Sequence, residues 1–192
     1  MGGESRRFGS DKANALFGGR TLLDHHLQLL HQVGCAAAVY VGGQPRGGVA
    51  LDAAHVPDGT PGQGPLAGLV ALLQHAQQAS PNIEWSAVLM VACDIPLLSP
   101  GTARRVLDGL NVADVAVAAG DRDHWSCLAV RVSQYHTLVD VFRRGERALF
   151  AAVNQCSLNR VPVDEREFLN TNDPALLREA ARLVTNSGEL GQ

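Results

Sequence analysis

The run Ala87-Val88-Leu89-Met90-Val91-Ala92 has no polar face, and Cys93-Asp94-Ile95-Pro96 follows it directly. A strand with two apolar faces is typical of a parallel sheet that helices cover on both sides. In open α/β sheets, ligands bind at the carboxyl ends of the strands. The sequence therefore predicts a parallel strand over residues 86–92 with a candidate functional carboxylate, Asp94, at its end. An aspartate that simply ends a strand and starts a turn is the alternative.

Strand-like apolar runs alternate with helical patterns along the chain. The other runs lie at 36–41, 53–56, 113–119, 126–132 and 158–163, and helices are predicted at 22–33, 65–77, 102–110 and from Asp173-Pro174 onward. This alternation indicates an α/β fold with a doubly wound sheet. The length of 192 residues predicts one domain, over residues 1–185, followed by a loose tail over residues 186–192.

Composition and charge exclude several classes of protein. A hydrophobic fraction of 46% with 18% charged residues argues against disorder. The formal net charge of −3 gives no general attraction to nucleic acid or anionic lipid, and no apolar stretch approaches the length of a membrane span. The four cysteines are scattered, without a C-x-x-C pair, which favours reduced thiols in a cytoplasmic protein.

The sequence opens with a glycine-rich basic loop, MGGESRRFGSDK, that ends at Lys12. Glycines let backbone N–H groups approach phosphate oxygens, and Arg6, Arg7 and Lys12 supply positive charge. The spacing fits neither a Walker loop nor a G-x-G-x-x-G dinucleotide loop. We interpret the segment as a loop that binds a nucleoside triphosphate. A cloning remnant or a frayed end is the alternative for Met-Gly-Gly.

Four segments in order resemble one family. The run GGESRRFGSDKA at 2–13 is similar to the signature of the molybdenum cofactor guanylyltransferases, the MobA-type branch of the nucleotidyltransferase superfamily. GPLAGL at 64–69, CDIP at 93–96 and NTNDP at 170–174 resemble further motifs of that family. The resemblance implies a Rossmann-like three-layer, mostly parallel sheet of the nucleotide-diphospho-sugar transferase type. In that fold an apolar strand precedes the glycine loop, so we expect the first strand to be missing from this sequence.

The resemblance also implies a reaction. A phosphate on molybdopterin attacks the α-phosphorus of GTP, pyrophosphate leaves, and a guanine dinucleotide cofactor is formed with the help of Mg²⁺. Lys12, Arg7 and Asp94 match the catalytic positions, and Asp94 is the expected metal ligand. A solvated lysine in an exposed loop is the alternative for Lys12.

The resemblance assigns two groups of binding residues. The expected nucleotide-binding residues are Gly2, Gly3, Ser5, Arg6, Lys12, Asp58, Gly64, Pro65, Gly68 and Asp94. On the pterin side the expected residues are Arg147, Asn170 and Asn172. Asp58 followed by Gly59 is equally an ordinary turn, and Asn172 is equally a helix cap. Gly42-Gly43 departs from the family pattern, which often has an asparagine there.

The histidines suggest no catalytic role. His124 lies in a loop before Trp125 that resembles a family segment, whereas His25 and His26 fall in a helical stretch and are expected to be surface or packing residues.

Other activities remain open at this point. Cytidylyl transfer to the same pterin or to another small-molecule phosphate is one, and a non-catalytic carrier of GTP or molybdopterin is another. We expect small-molecule substrates, transient contact with molybdenum-insertion proteins and recipient molybdoenzymes, no nucleic acid and no membrane.

Overall fold

The computed structural model describes residues 12–43, 45, 53–57, 59, 62–78 and 84–189, and the side chains of those up to residue 182. The helices and strands are, in chain order, β1 (Leu16–Phe17), β2 (Arg20–Thr21), α1 (Leu22–Val33), β3 (Val39–Val41), β4 (Ala54–Val56), α2 (Pro65–Gln78), β5 (Ala87–Val91), α3 (Pro100–Asp108), β6 (Val115–Ala119), β7 (Asp123–Arg131), α4 (Tyr135–Arg143), α5 (Leu149–Val153), β8 (Leu158–Pro162) and α6 (Pro174–Glu189). The alternation of strands and helices confirms the predicted α/β class.

The main sheet has four strands in the order β5-β7-β6-β8. Strand β7 is antiparallel to both β5 and β6, and β8 is parallel to β6, so β5, β6 and β8 run in the same direction. The strand predicted at 86–92 is present as β5. The sequence predicted that its neighbour would be parallel, and this prediction is wrong for β7, which pairs with β5 in the antiparallel direction. The reason is local: β6 and β7 are joined by a short turn that Gly120 N–H closes on the Arg122 carbonyl at 3.0 Å, and such a hairpin reverses the chain.

A second, parallel pair is formed by β3 and β4, with Tyr40 opposite His55. In the described part of the chain, no strand joins this pair to the main sheet, and none pairs with the second edge of β5. The expectation that the strand ahead of the glycine loop is missing from this sequence is not tested, because residues 1–11 lie outside the described residues.

Helices cover both faces of the main sheet. Because side chains alternate along a strand, Val115 and Val117 of β6 pack with α2, α4 and α5, whereas Ala116 and Ala118 pack with α1 and α3. Small alanines on the second face let α3 lie close to the sheet. An added Cβ at Gly109, just after α3, would lie 2.7 Å from the Cβ of Ala116. The molecule is therefore a three-layer α/β structure.

Each predicted helix begins and ends within about two residues of the observed bounds, and two of the observed helices were not predicted. Helix α3 begins at Pro100 rather than at 102, because Ser99 caps it by accepting the Thr102 N–H at 3.1 Å. Helices α4 and α5 were not predicted. Both are short, with nine and five residues, and neither has a side-chain N-cap to mark its start. Helix α6 extends to Glu189.

None of the helices in the described segments is long and apolar enough to cross a membrane.

Candidate active site

Asp94 lies in the turn just after β5, at the carboxyl end of that strand. Its Oδ2 atom accepts a hydrogen bond from Asn170 Nδ2 at 3.0 Å and lies 4.0 Å from Lys12 Nζ. The side chains of Lys12 and Asp94 are only 10% and 24% exposed, so solvent screens this ion pair weakly. The structure thus brings together the predicted loop lysine and the predicted metal ligand, although Asp94 lies 82 positions after Lys12 in the sequence.

Burial and the neighbouring acidic groups have opposite effects on the pKa of Lys12. The ammonium group donates a hydrogen bond to Asn172 Oδ1 at 3.1 Å. Burial lowers the pKa of Lys12 below its usual value, while the negative charges of Asp94, then Cys93 and Asp173, oppose that change. The carboxylate of Asp94 therefore helps to keep a buried lysine charged.

The segment at 170–173 ties the C-terminal part of the chain to Asp94. Thr171 is fully buried, and its N–H and Oγ1 both donate to the Asp94 carbonyl, at 2.8 and 3.2 Å. Asn170 and Asn172 project from either side of Thr171 and reach Asp94 and Lys12. The two asparagines predicted for the pterin side therefore lie at the Lys12–Asp94 pair itself.

The cap of α6 is Asp173 rather than Asn172. The Oδ1 atom of Asp173 accepts the N–H groups of Ala175 and Leu176, at 2.8 and 2.9 Å. Because Asp173 satisfies these N–H groups, the side chain of Asn172 is directed to Lys12. The alternative reading of Asn172 as a helix cap is wrong.

One oxygen of Asp94 suits a cation. Asp94 Oδ1 is buried and has no hydrogen-bond partner among the described residues, whereas Oδ2 is occupied by Asn170. A buried carboxylate oxygen without a donor is unfavourable unless a ligand completes it. Mg²⁺ is commonly held by one or two carboxylates together with substrate phosphates and water. A single carboxylate oxygen therefore fits a Mg²⁺ ion whose other ligands come mainly from the substrate. Within the described segments, no three acidic, histidine or cysteine side chains are grouped so that they could hold a metal ion by themselves.

The second glycine motif begins α2. Gly64 has a φ of +80°, a conformation that favours glycine, and Pro65 is the first residue of the helix. An added Cβ at Gly68 would meet no described atom within 4 Å, so packing among the described residues does not require glycine there.

Arg147 lies beside this motif instead of beside Asp94. Its guanidinium stacks over Phe142 at 4.2 Å from the ring centroid and donates to Gln63 and to the Phe142 carbonyl. The backbone carbonyl of Arg147 lies 3.6 Å from where a Cβ on Gly64 would be. The described contacts of Arg147 thus join the α4–α5 loop to the turn before α2, and its expected role at the acceptor phosphate stays a prediction.

A cleft of about 620 Å³ opens next to Asp94. Asn170 lines it and also bonds to Asp94, so the cleft and the Lys12–Asp94 pair are contiguous. The walls of the cleft include the aromatic side chains of Trp125, Phe150 and Phe168. They also include Arg122 and Arg160, and Arg160 is paired with Asp123 at 2.9 Å.

Sequence reasoning missed Arg122, Phe150 and Thr171. Thr171 lies inside a recognised motif, and its position between two asparagines that were predicted to belong to the site is a signal that was available. Phe150 lies on α5, which was not predicted, and it is 54% exposed, which is unusual for a large apolar side chain.

Several predicted site residues lie outside the described residues. They are Gly2, Gly3, Ser5, Arg6, Arg7 and Asp58.

Comparison with solved structures identifies the fold class. The fold matches molybdopterin-guanine dinucleotide biosynthesis protein A from Archaeoglobus fulgidus with a TM-score of 0.74 and 20% identity, over 96% of each chain. It also matches 2-C-methyl-D-erythritol 4-phosphate cytidylyltransferase from Thermus thermophilus, with a TM-score of 0.69, 20% identity, and coverage of 91% of this chain and 94% of that one. The chain shares its fold with both of these proteins.

The sequence identifies the family within that class. Residues 1–161 match the model of the MobA-like NTP transferase domain. The molybdenum cofactor guanylyltransferase of Sinorhizobium fredii is 34% identical over 93% of this chain and 87% of its own length. The chain belongs to the MobA-like NTP transferase family.

Proposed function

We propose that this protein transfers GMP from GTP to the phosphate of molybdopterin and so forms the guanine dinucleotide cofactor. A phosphate oxygen of the acceptor forms a bond to the α-phosphorus of GTP, the bond from that phosphorus to the bridging oxygen breaks, and pyrophosphate leaves with the electron pair. The observation that carries the proposal is the approach of Lys12 Nζ to the Asp94 carboxylate, 4.0 Å apart at the carboxyl end of β5. The name of the Sinorhizobium fredii relative supports guanylyl transfer.

Lys12 and Asp94 have complementary roles in this reaction. The Lys12 ammonium neutralises charge on the triphosphate as it develops toward pyrophosphate. Asp94 would hold Mg²⁺ through Oδ1, which has no hydrogen-bond partner among the described residues, and the ion would draw negative charge off the phosphate oxygens. Asn170 and Asn172 keep the carboxylate and the ammonium in place. Arg7 is proposed as an additional phosphate ligand.

The acceptor is proposed to bind in the cleft beside Asp94. A fused heteroaromatic ring suits the Trp125 and Phe150 side chains, which offer apolar and aromatic surface. Arg122, which also lines the cleft, supplies positive charge for the acceptor phosphate. Asn170 belongs to both the cleft and the Asp94 contacts, so an acceptor bound there lies next to the triphosphate site.

Guanine selection is proposed to rest on Asp58, with Gly2, Gly3, Ser5 and Arg6 around the phosphates. A carboxylate can accept hydrogen bonds from both N1–H and the exocyclic amine of guanine. Gly64, Pro65 and Gly68 at the start of α2 allow the nucleotide to approach the backbone closely.

The test incubates the purified protein with Mg²⁺ and molybdopterin, and with GTP or CTP in separate reactions. The dinucleotide product is separated by chromatography, and pyrophosphate is measured by a coupled assay. We expect a product with GTP, none after chelation of Mg²⁺, and at least tenfold less with CTP. Preference for CTP would overturn guanylyl transfer. Calorimetric binding of GTP and molybdopterin without any release of pyrophosphate would show a carrier instead of an enzyme.

We place this activity in the cytoplasm, with transient delivery of the product to recipient molybdoenzymes and contact with molybdenum-insertion proteins. The scattered thiols of the sequence support that placement.

A further inference from the structure

Three consecutive carbonyl groups of the Asp94 turn, those of Asp94, Ile95 and Pro96, face side chains from distant parts of the chain. The Asp94 carbonyl accepts two hydrogen bonds from Thr171. The Pro96 carbonyl lies 2.8 Å from His25 Nε2, and the Ile95 carbonyl lies 3.4 Å from His26 Nε2. The turn is therefore held from one side by the segment before α6 and from the other by α1.

The two histidines are adjacent in α1 and pack against each other. Their ring centroids are 5.3 Å apart in an edge-to-face arrangement, and Phe17 meets the His25 ring edge-on at 5.0 Å. His26 is buried, and its Nδ1 lies 2.8 Å from the Leu22 carbonyl one turn earlier. His26 is thereby fixed in its rotamer and supports the ring of His25. The expectation that both are surface or packing residues is incomplete, because each also reaches the Asp94 turn.

The surroundings of His25 favour a neutral imidazole ring that donates a hydrogen bond from Nε2. Burial lowers the pKa of His25. The hydrogen bond to the Pro96 carbonyl raises this pKa, and the positive charge of Arg20 lowers it. A neutral imidazole carries one N–H, and the acceptor 2.8 Å from His25 Nε2 is a carbonyl, so that N–H is on Nε2.

We propose that His25 is a positioning residue: by donating to the Pro96 carbonyl it sets the direction in which the Asp94 carboxylate meets a divalent cation and its nucleotide. The inference rests on the proposed function of Asp94 as metal ligand. Groups that orient a metal ligand commonly change metal affinity by about 10- to 100-fold when they are removed. His25 acts through the backbone of the turn, so we expect an effect near the lower end of that range.

The experiment compares three variants. His25→Phe removes the donor but keeps a ring against Phe17. His25→Gln keeps an N–H donor at similar reach. His31→Phe makes the same change at an exposed position of the same helix and is the matched control. Thermal unfolding by circular dichroism establishes that each variant is folded.

Two readouts separate positioning from a general loss of structure. The first is the dissociation constant of Mn²⁺ from the protein–GTP complex, measured by electron paramagnetic resonance without acceptor. The second is the steady-state rate of GMP transfer, analysed for kcat, for KM of GTP and for the half-saturating Mg²⁺ concentration. For His25→Phe we expect Mn²⁺ to bind about tenfold more weakly and kcat to fall about tenfold, with KM of GTP changed less than threefold. His25→Gln recovers most of both losses, and His31→Phe equals wild type.

Failure of this inference is distinguishable from failure of the proposed function. If wild type transfers GMP and folded His25→Phe has the wild-type Mn²⁺ constant and kcat, the positioning role is overturned while the function stands. If wild type binds Mn²⁺ with GTP but transfers nothing, and His25→Phe weakens that binding, the function falls and the positioning role stands. If His25→Phe does not fold, His25→Leu, which also lacks an N–H donor to the Pro96 carbonyl, takes its place, and a wild-type Mn²⁺ constant in folded His25→Leu then overturns the inference.

Discussion

Replacing Asp94 with asparagine removes one charge and almost no volume. The amide oxygen can still accept from Asn170, so its NH₂ group takes the place of Oδ1, where no described residue is bonded. We therefore expect the fold to persist while the affinity for a cation is lost. The substitution isolates the charge of the carboxylate from its shape.

The distance to Lys12 sets the size of the effect. Two unit charges 4.0 Å apart interact by about 4 kcal/mol at an effective dielectric constant of about 20. A cation that the carboxylate held directly would lie no farther from it than Lys12 does. Since about 1.4 kcal/mol corresponds to a factor of ten in rate, loss of the carboxylate should lower kcat by up to about 1,000-fold.

The assay measures transfer of radioactive GMP from α-labelled GTP to molybdopterin at saturating Mg²⁺. Asp140→Asn, on the exposed side of α4, is the matched control and should retain full activity. Lys12→Met and the double variant complete a thermodynamic cycle. Because both groups act on the same phosphates, the loss in the double variant should be well below the product of the two single losses.

Two results would refute this reasoning. One is an Asp94→Asn protein that keeps more than half of the wild-type rate with an unchanged Mg²⁺ requirement. The other is strictly multiplicative losses in the cycle, which would mean that Lys12 and Asp94 act on separate steps.

Three further outcomes are expected. Burial lowers the pKa of Lys12, so the rate of transfer should fall on the alkaline side at a pH below the range of an ordinary lysine. Between the pKa of Lys12 in the folded protein and its higher pKa in the unfolded chain, the unfolded chain binds more protons. The stability of wild type relative to Lys12→Met, measured by urea unfolding, should therefore rise with pH through that window. Asp173→Ala removes the cap of α6 and should lower the free energy of unfolding by about 1 kcal/mol, whereas Asp173→Ser should recover most of it in thermal unfolding. Phe150→Ala should raise KM for molybdopterin several-fold and leave KM for GTP unchanged, with the exposed Val112→Ala as control; equal changes in both constants would contradict the acceptor cleft.

Local sequence patterns were sufficient for the class of fold and for the position of Asp94. The apolar run before Cys93 predicts a strand by itself, and the end of a strand is a defined place in an α/β sheet. The antiparallel insertion of β7 between β5 and β6 was not predictable in this way. Strand order depends on tertiary packing, and the apolar pattern of β7 suits either direction.

The site was partly predictable for a similar reason. Motifs indicate which residues are candidates for the site, but they do not indicate the direction in which each of several neighbouring side chains points. Asn172 and Asp173 are both good caps by residue type, and only the geometry of the turn decides that Asp173 caps α6 and Asn172 meets Lys12. Arg147 likewise has the right charge for an acceptor phosphate, yet its described contacts hold it at Phe142 and Gln63.

The Asp94 turn owes its shape to contacts that are remote in sequence. Thr171 and His25 lie 77 and 71 positions away from the carbonyl groups that they contact, and Lys12 lies 160 positions from its partner Asn172. Strand β5 alone therefore brings a carboxylate to the right edge of the sheet but does not direct it. The direction comes from α1 on one side and from the segment before α6 on the other, so the proposed cation-binding geometry depends on the docking of both ends of the described chain against the end of one strand.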